Sequence, residues 1–154
     1  MYFDVDPRFV EHFRKLKQVF LYITDECNLR CEQCLYKPNL VFHIGNKEIP
    51  QKTAIALVSD FREMGAVKLS ILGGEPTLYG DKQNHHQLKM VIKQSKELGY
   101  QYVRLDTNGQ FENNLFAKGV FTDLDEISFS LDGFSPETHD LMRGEGAFLK
   151  CVSN

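Results

Sequence analysis

The 154-residue sequence has no excess of charge of one sign: 18 Lys and Arg stand against 21 Asp and Glu, a net charge of −3. That balance gives no polyanion-binding signal, so neither nucleic acid nor an anionic membrane is expected as a partner. No apolar run approaches the roughly 18 residues of a membrane span. No basic stretch leads into an apolar segment near Met1, so the expected location is the cytoplasm. Repeats, low-complexity tracts and Pro/Gly/Ser-rich linkers are lacking, and nothing marks a second domain. Cysteine is sparse at four residues, three of them packed into Cys27-Asn-Leu-Arg-Cys31-Glu-Gln-Cys34. A disulfide framework spreads its partners across a fold, and an odd cluster cannot pair off internally, so metal or redox chemistry is the better reading. Cys151 stands apart and reads as a buried or incidental thiol.

What is present is an alternation of strands and helices. Residues 1–18 form a charged lead-in with a short helix over Arg8–Lys17, and 19–154 form the core. The apolar run Val19–Ile23 predicts a first strand, followed by a long loop to Pro50. Ala54, Leu57, Val58 and Phe61 recur at helical spacing over 51–64, and Gly65 ends that helix. Strands follow at Val67–Leu72, Tyr102–Asp106 and Ile127–Leu131, with a helix over 85–98 that Gly99 stops and a short one near 112–118. Four strands with helical crossovers give a parallel sheet and an α/β fold.

Strand parity refines this. Val67, Leu69 and Ile71 oppose Lys68 and Ser70; Val103 and Leu105 oppose Tyr102, Arg104 and Asp106; Ile127, Phe129 and Leu131 oppose Ser128, Ser130 and Asp132. A flat doubly wound sheet is covered and apolar on both faces. One polar face in three successive strands favours a barrel-type sheet with a ligand-holding lumen, the alternative being a partly exposed sheet face.

The chemistry-bearing segments all follow strands. The cysteines come after strand one, Gly73-Gly74-Glu75-Pro76 after strand two, Thr107-Asn108-Gly109 after strand three and Asp132-Gly133 after strand four. Carboxyl ends of parallel strands are where α/β folds build their sites. Three thiolates can hold three irons of a cubane and leave the fourth open. The competing reading is zinc, with His43 or His12 as fourth ligand, but no second Cys-x2-Cys knuckle is present. Paired glycines admit close backbone approach, and Glu75 could receive an ammonium group. Asn108 and Thr107 offer an amide and a hydroxyl suited to a sugar, and Ser130 and Asp132 share the polar parity. His85-His86 reads as an exposed helix start, and His139 with Arg143 as a helical surface pair, contact with a ligand carboxylate being its functional alternative. The aromatics Tyr2, Phe3, Phe9 and Phe13 read as packing on the core.

These motifs, in this order, resemble those of the radical S-adenosylmethionine (SAM) superfamily. Cys27–Cys34 is similar to its Cys-x3-Cys-x2-Cys motif, Gly73–Pro76 to its glycine-glycine-glutamate-proline motif, and Asp106–Gly109 to its strand-three ribose segment. Ser128–Gly133, with His139-Asp140 and Arg143-Gly144, resembles the strand-four region of the subgroup bearing C-terminal SPASM or twitch extensions. The resemblance implies a partial (β/α)6 barrel with about four of six units present. It implies a [4Fe–4S] cluster on Cys27, Cys31 and Cys34, with SAM chelating the fourth iron. Gly73, Gly74 and Glu75 would contact the methionyl amino group; Asn108, Ser130 and Asp132 would approach the ribose or carboxylate. It further implies an oxidoreductase that cleaves SAM to a 5′-deoxyadenosyl radical for hydrogen abstraction, fed by an electron donor such as flavodoxin or ferredoxin. The subgroup points to peptide modification, with a peptide or protein substrate. Small-molecule cofactor biosynthesis and a non-catalytic iron–sulfur or zinc protein are the alternatives. Two features depart from the family pattern. Gln33 stands where an aromatic residue against the adenine is usual, so that contact is either lost or supplied by Tyr36. Four strands stand where the core needs six, so the expectation is a core completed by further chain or a partner and inactive alone.

Overall fold

A computed structural model of the chain describes residues 16–35, 48–112 and 114–154. The lead-in helix expected over Arg8–Lys17, the aromatics of the lead-in, Tyr36, His12 and His43 lie outside the described residues, except that Leu16 and Lys17 are non-helical. Lys17 instead offers its carbonyl to the N–H groups of Val67 and Lys68.

Four strands, β1 (Gln18–Tyr22), β2 (Lys68–Leu72), β3 (Tyr102–Thr107) and β4 (Glu126–Phe129), form one sheet in that order. Every pairing is parallel, with Gln18 opposite Lys68, Lys68 opposite Tyr102 and Arg104 opposite Glu126. The sheet is open, and its parallel strands with helical crossovers are compatible with part of a barrel. Helix α1 (Gln51–Glu63) joins β1 to β2, and α2 (His86–Glu97) joins β2 to β3. Each ends at a glycine with positive φ, 100° at Gly65 and 87° at Gly99, which turns the chain directly into the next strand. The short α3 (Asn114–Ala117) precedes β4. Beyond the expected elements, α4 (Pro136–Arg143) follows β4 before α5 (Ala147–Ser153).

The apolar parity packs as read on β2 and β3, whereas on β4 Ile127 and Phe129 are only partly buried and Leu131, expected in the strand, lies past its end and is 46% exposed. Val19, Leu21, Leu69, Ile71, Val103 and Leu105 are buried under Ala54 and Val58 of α1 and Leu88, Val91 and Ile92 of α2. Burying such side chains contributes about 1.5–3 kcal/mol each, which holds the helices on this face. The opposite face is polar on β2–β4. Ser70 accepts a hydrogen bond from the Gln18 side chain at 3.3 Å, and Arg104 lies between Asp106 at 2.7 Å and Glu126 at 3.7 Å. On β1 this face carries aromatics instead: Phe20 and Tyr22 are 55% and 46% exposed. Among the described residues no helix is long and apolar enough to cross a membrane.

Candidate functional site

The carboxyl edge of the sheet is built by continuing the strand pairing into loops. Beyond β2, the N–H groups of Gly74 and Glu75 donate to the carbonyls of Thr24 and Glu26, both at 2.7 Å. This lays the glycine pair along the segment that leads into Cys27. The approach is so close that a Cβ on Gly73 would stand 2.6 Å from the Thr24 carbonyl oxygen. The glycines are therefore required first by the chain's own backbone.

The cysteine loop is tied from several sides. Arg30 donates to the Cys27 and Leu29 carbonyls at 2.8 and 2.9 Å, and the Cys34 N–H reaches the Cys31 carbonyl at 3.2 Å. Asn28 donates to the Gln110 carbonyl at 2.7 Å, and the Glu32 N–H to the Met142 carbonyl at 2.9 Å. Gln33 bonds to Asp132, which also pairs with the Arg143 Nε at 2.5 Å.

All three cysteines are free and partly exposed. They line a single pocket of about 200 Å³ together with Gln33, Gly73, Gly74, Asn108, Ser130 and Arg143. Burial pushes the Cys27 and Cys31 thiols up; the Leu29 N–H opposes this at Cys27, and the Arg143 guanidinium does so at Cys31. Among the described residues, no three Cys, His, Asp or Glu side chains draw together as a single metal ion needs. All three thiols line the same pocket, and three thiolates are the ligand set of a cubane with one iron left open. The donor set is all-sulfur with an open side facing the pocket, so the residues present fit a three-cysteine cubane.

The remaining residues singled out from sequence divide into two groups. Gly73, Gly74, Asn108 and Ser130 face the pocket. Glu75 does not: it is fully buried, and its carboxylate accepts from the Thr77 N–H at 3.1 Å, the Thr77 and Thr107 hydroxyls at 2.7 and 2.8 Å, and the Asn108 N–H at 2.7 Å. Burial still pushes its pKa up against these four donors. The side chain expected to meet a ligand ammonium is engaged in joining the ends of β2 and β3. Asp132 likewise is not among the residues lining the pocket; it is bonded to Gln33 and Arg143, which are.

His139 and Arg143 correct the surface-pair reading. His139 is fully buried, its Nδ1 accepting the Asp132 N–H at 3.2 Å, and Arg143 is a pocket-lining cation. His85 is also buried rather than exposed, in a left-handed conformation at φ 53°, while His86 remains exposed. Asn28 was not anticipated as a site residue, and Gln33 only as a departure from the family pattern; their positions inside the cysteine motif were the available signal. Cys151 is buried against the Gly109 turn, in keeping with a buried thiol.

Residues 21–150, nearly the whole of this architecture, match the family model described as the Radical SAM superfamily. The chain belongs to the radical SAM superfamily. Its members are enzymes that use a [4Fe–4S] cluster and SAM, the two cofactors the motifs called for. Among curated relatives, the radical SAM chain is 34% identical over 124 residues to the GTP 3′,8-cyclase of Limosilactobacillus fermentum, covering 79% of this chain and 36% of the relative. It is 33% identical over 152 residues to the GTP 3′,8-cyclase of Psychromonas ingrahamii, covering 97% and 42%. The chain thus spans about two-fifths of the length of these relatives.

Among solved structures it resembles anSMEcpe with bound AdoMet and a Kp18Cys peptide, at TM-score 0.66 and 23% identity, covering 88% of this chain and 38% of that one. It also resembles Streptococcus suis SuiB bound to precursor peptide SuiA, at TM-score 0.67 and 20% identity, covering 90% and 30%. At these identities the likeness is one of fold.

Proposed function

We propose that this chain forms the cluster- and SAM-binding part of a radical SAM enzyme, with Cys27, Cys31 and Cys34 as the iron ligands. The observation that carries the reading is the convergence of three thiols with Gly73, Gly74, Asn108, Ser130 and Arg143 on one pocket at the carboxyl edge of four parallel strands. With both cofactors bound, they supply reductive cleavage of a carbon–sulfur bond and hydrogen-atom abstraction from a substrate. The chain's own part is positioning. The glycine backbone at 73–74, packed against Thr24–Glu26 on its other side, presents main-chain atoms to the methionyl amino group. Ser130 and Arg143, which line the same pocket, offer a hydroxyl and a guanidinium to a carboxylate or ribose. Glu75 acts from behind by fixing Asn108, and Asp132 by fixing Gln33 and Arg143.

For the substrate we favour a small molecule, with chemistry of the cofactor-biosynthesis kind. Supporting this, the two sequence relatives described above, at 33–34% identity, are GTP 3′,8-cyclases, whereas the peptide-bound structures share the fold alone. The polar lumen with Arg104 between Asp106 and Glu126 suits a hydrogen-bonding ligand. The resemblance of Ser128–Gly133 to the SPASM and twitch subgroup sustains a peptide side chain as the second reading.

Anaerobic reconstitution with iron and sulfide, read by electron paramagnetic resonance, tests the site. A reduced [4Fe–4S] signal that changes on adding SAM and is lost in Cys31→Ala is the expected result. Tight zinc binding with no cluster would overturn it. Adding GTP or a cysteine-containing peptide to the SAM-loaded protein separates the substrate readings: GTP should perturb the signal and the peptide should not.

A further inference from the structure

Asn108 has a second relationship to the site beyond lining it. Its Nδ2 lies 3.7 Å from the Cys27 sulfur and 2.9 Å from the Asn28 Oδ1. Its Oδ1 accepts the Gln110 N–H at 2.8 Å. Asn28 in turn donates through its Nδ2 to the Gln110 carbonyl at 2.7 Å. The two side-chain amides are thus oriented at both ends by one residue's backbone. The Gln110 carbonyl can only accept, so Asn28 must present its nitrogen there and its oxygen to Asn108. The Gln110 N–H can only donate, so Asn108 must present its oxygen there and its nitrogen to Asn28 and Cys27. Turning the Asn108 amide over would set two acceptors against each other at Asn28 and two donors at Gln110.

The backbone beneath is equally fixed, since the Asn108 N–H is bonded to the buried Glu75 carboxylate. Asn108 is 6% exposed, so water competes little for the contact. The same sulfur also receives the Leu29 N–H at 3.5 Å.

We propose that Asn108 is a tuning residue for the cluster: its amide donates an N–H···S hydrogen bond to the Cys27 thiolate and raises the reduction potential of the cluster that thiolate ligates. The physical cause is general. A donor at a ligating sulfur withdraws charge and favours the more reduced, more negative state of the cluster. This inference rests on the cluster reading above and adds to it an electronic role for a residue whose sequence signal suggested sugar contact.

The test is a potentiometric titration of the reconstituted full chain, followed by electron paramagnetic resonance. Asn108→Asp keeps the oxygen that Gln110 needs and removes the amide hydrogens; Asn108→Ala removes the whole group. Both should shift the midpoint to more negative potential at unchanged iron and sulfide content, the Asp variant further because it adds a negative charge. The iron–cysteine stretching bands in resonance Raman spectra should move up in frequency. Midpoints and bands equal to wild type in fully loaded variants would overturn the proposal. If the variants fail to load, wild-type protein with nitrogen-15 in its asparagine side-chain amides decides. A nitrogen coupling to the reduced cluster in pulsed spectra supports the bond, and its absence overturns it. Failure of wild type to assemble any cluster would instead sink the reading on which the inference rests.

Discussion

Gly74 lies so close to Glu26 that a Cβ added to it would stand 2.3 Å from the Glu26 carbonyl oxygen. The obstacle is backbone, so no side-chain rotation relieves it. Gly74→Ala must push the segment before Cys27 away from β2 or break the Glu75 N–H bond to Glu26. Overpacking of this kind costs about 1–3 kcal/mol. The expected outcome is a lower urea midpoint together with loss of iron after reconstitution, because the displaced segment carries the first ligand. Iron content equal to wild type would refute the coupling.

Glu75 is the acceptor for four donors in a water-free setting. Glu75→Ala leaves the Thr107 hydroxyl and the Asn108 and Thr77 N–H groups without it, and should lower unfolding free energy by roughly 3 kcal/mol or more. Glu75→Gln keeps one acceptor oxygen and should lose less. Chemical denaturation of the two variants checks both the size and the order.

Those two residues show where sequence sufficed and where it did not. The alternation of Val103 and Leu105 with Arg104 and Asp106 announced which face of β3 is covered, because burial along a strand is written in its own period. Gly65 and Gly99 announced helix ends for an equally local reason. The clustering of Cys27, Cys31 and Cys34 is local as well. The destination of Glu75 is not: its acceptor role depends on Thr107 and Asn108, in a different strand end. The bond from Gln33 to Asp132 joins residues 99 positions apart. His139 looked like a surface residue because α4 carries few apolar neighbours to reveal which side faces inward.

Tyr79 is buried, donates its hydroxyl to the Ile49 carbonyl at 2.8 Å, and has its pKa pushed up to about 12 by burial, with Glu48 adding to the shift. The unfolded chain ionises a tyrosine near about 10. Stability tied to this residue is therefore fully present below about pH 10 and is lost as pH rises toward about 12. Urea unfolding across that range should show a decline in the wild type that Tyr79→Phe reduces. An identical slope in both proteins would contradict the assignment.

Arg143 opposes the upward push of burial on Cys31. In the metal-free protein, Arg143→Met keeps much of the side-chain volume and removes the charge, so the Cys31 thiol should become less acidic still. Alkylation at fixed mildly alkaline pH, resolved by peptide mass mapping, should slow about threefold at Cys31. Cys34, treated in the same sample, serves as the internal reference. A rate at Cys31 that holds or rises relative to Cys34 would contradict the field effect.

The ties that hold residues 27–34 reach Gln110 beyond β3, Asp132 beyond β4 and Met142 on α4, so the closed ligand loop depends on segments late in the chain being docked. Metal insertion thereby becomes a checkpoint on folding. A chain whose last helices are undocked would offer its thiols on a slack tether and bind iron poorly. One that has docked them presents the three sulfurs already gathered, with little ordering left for the metal to impose.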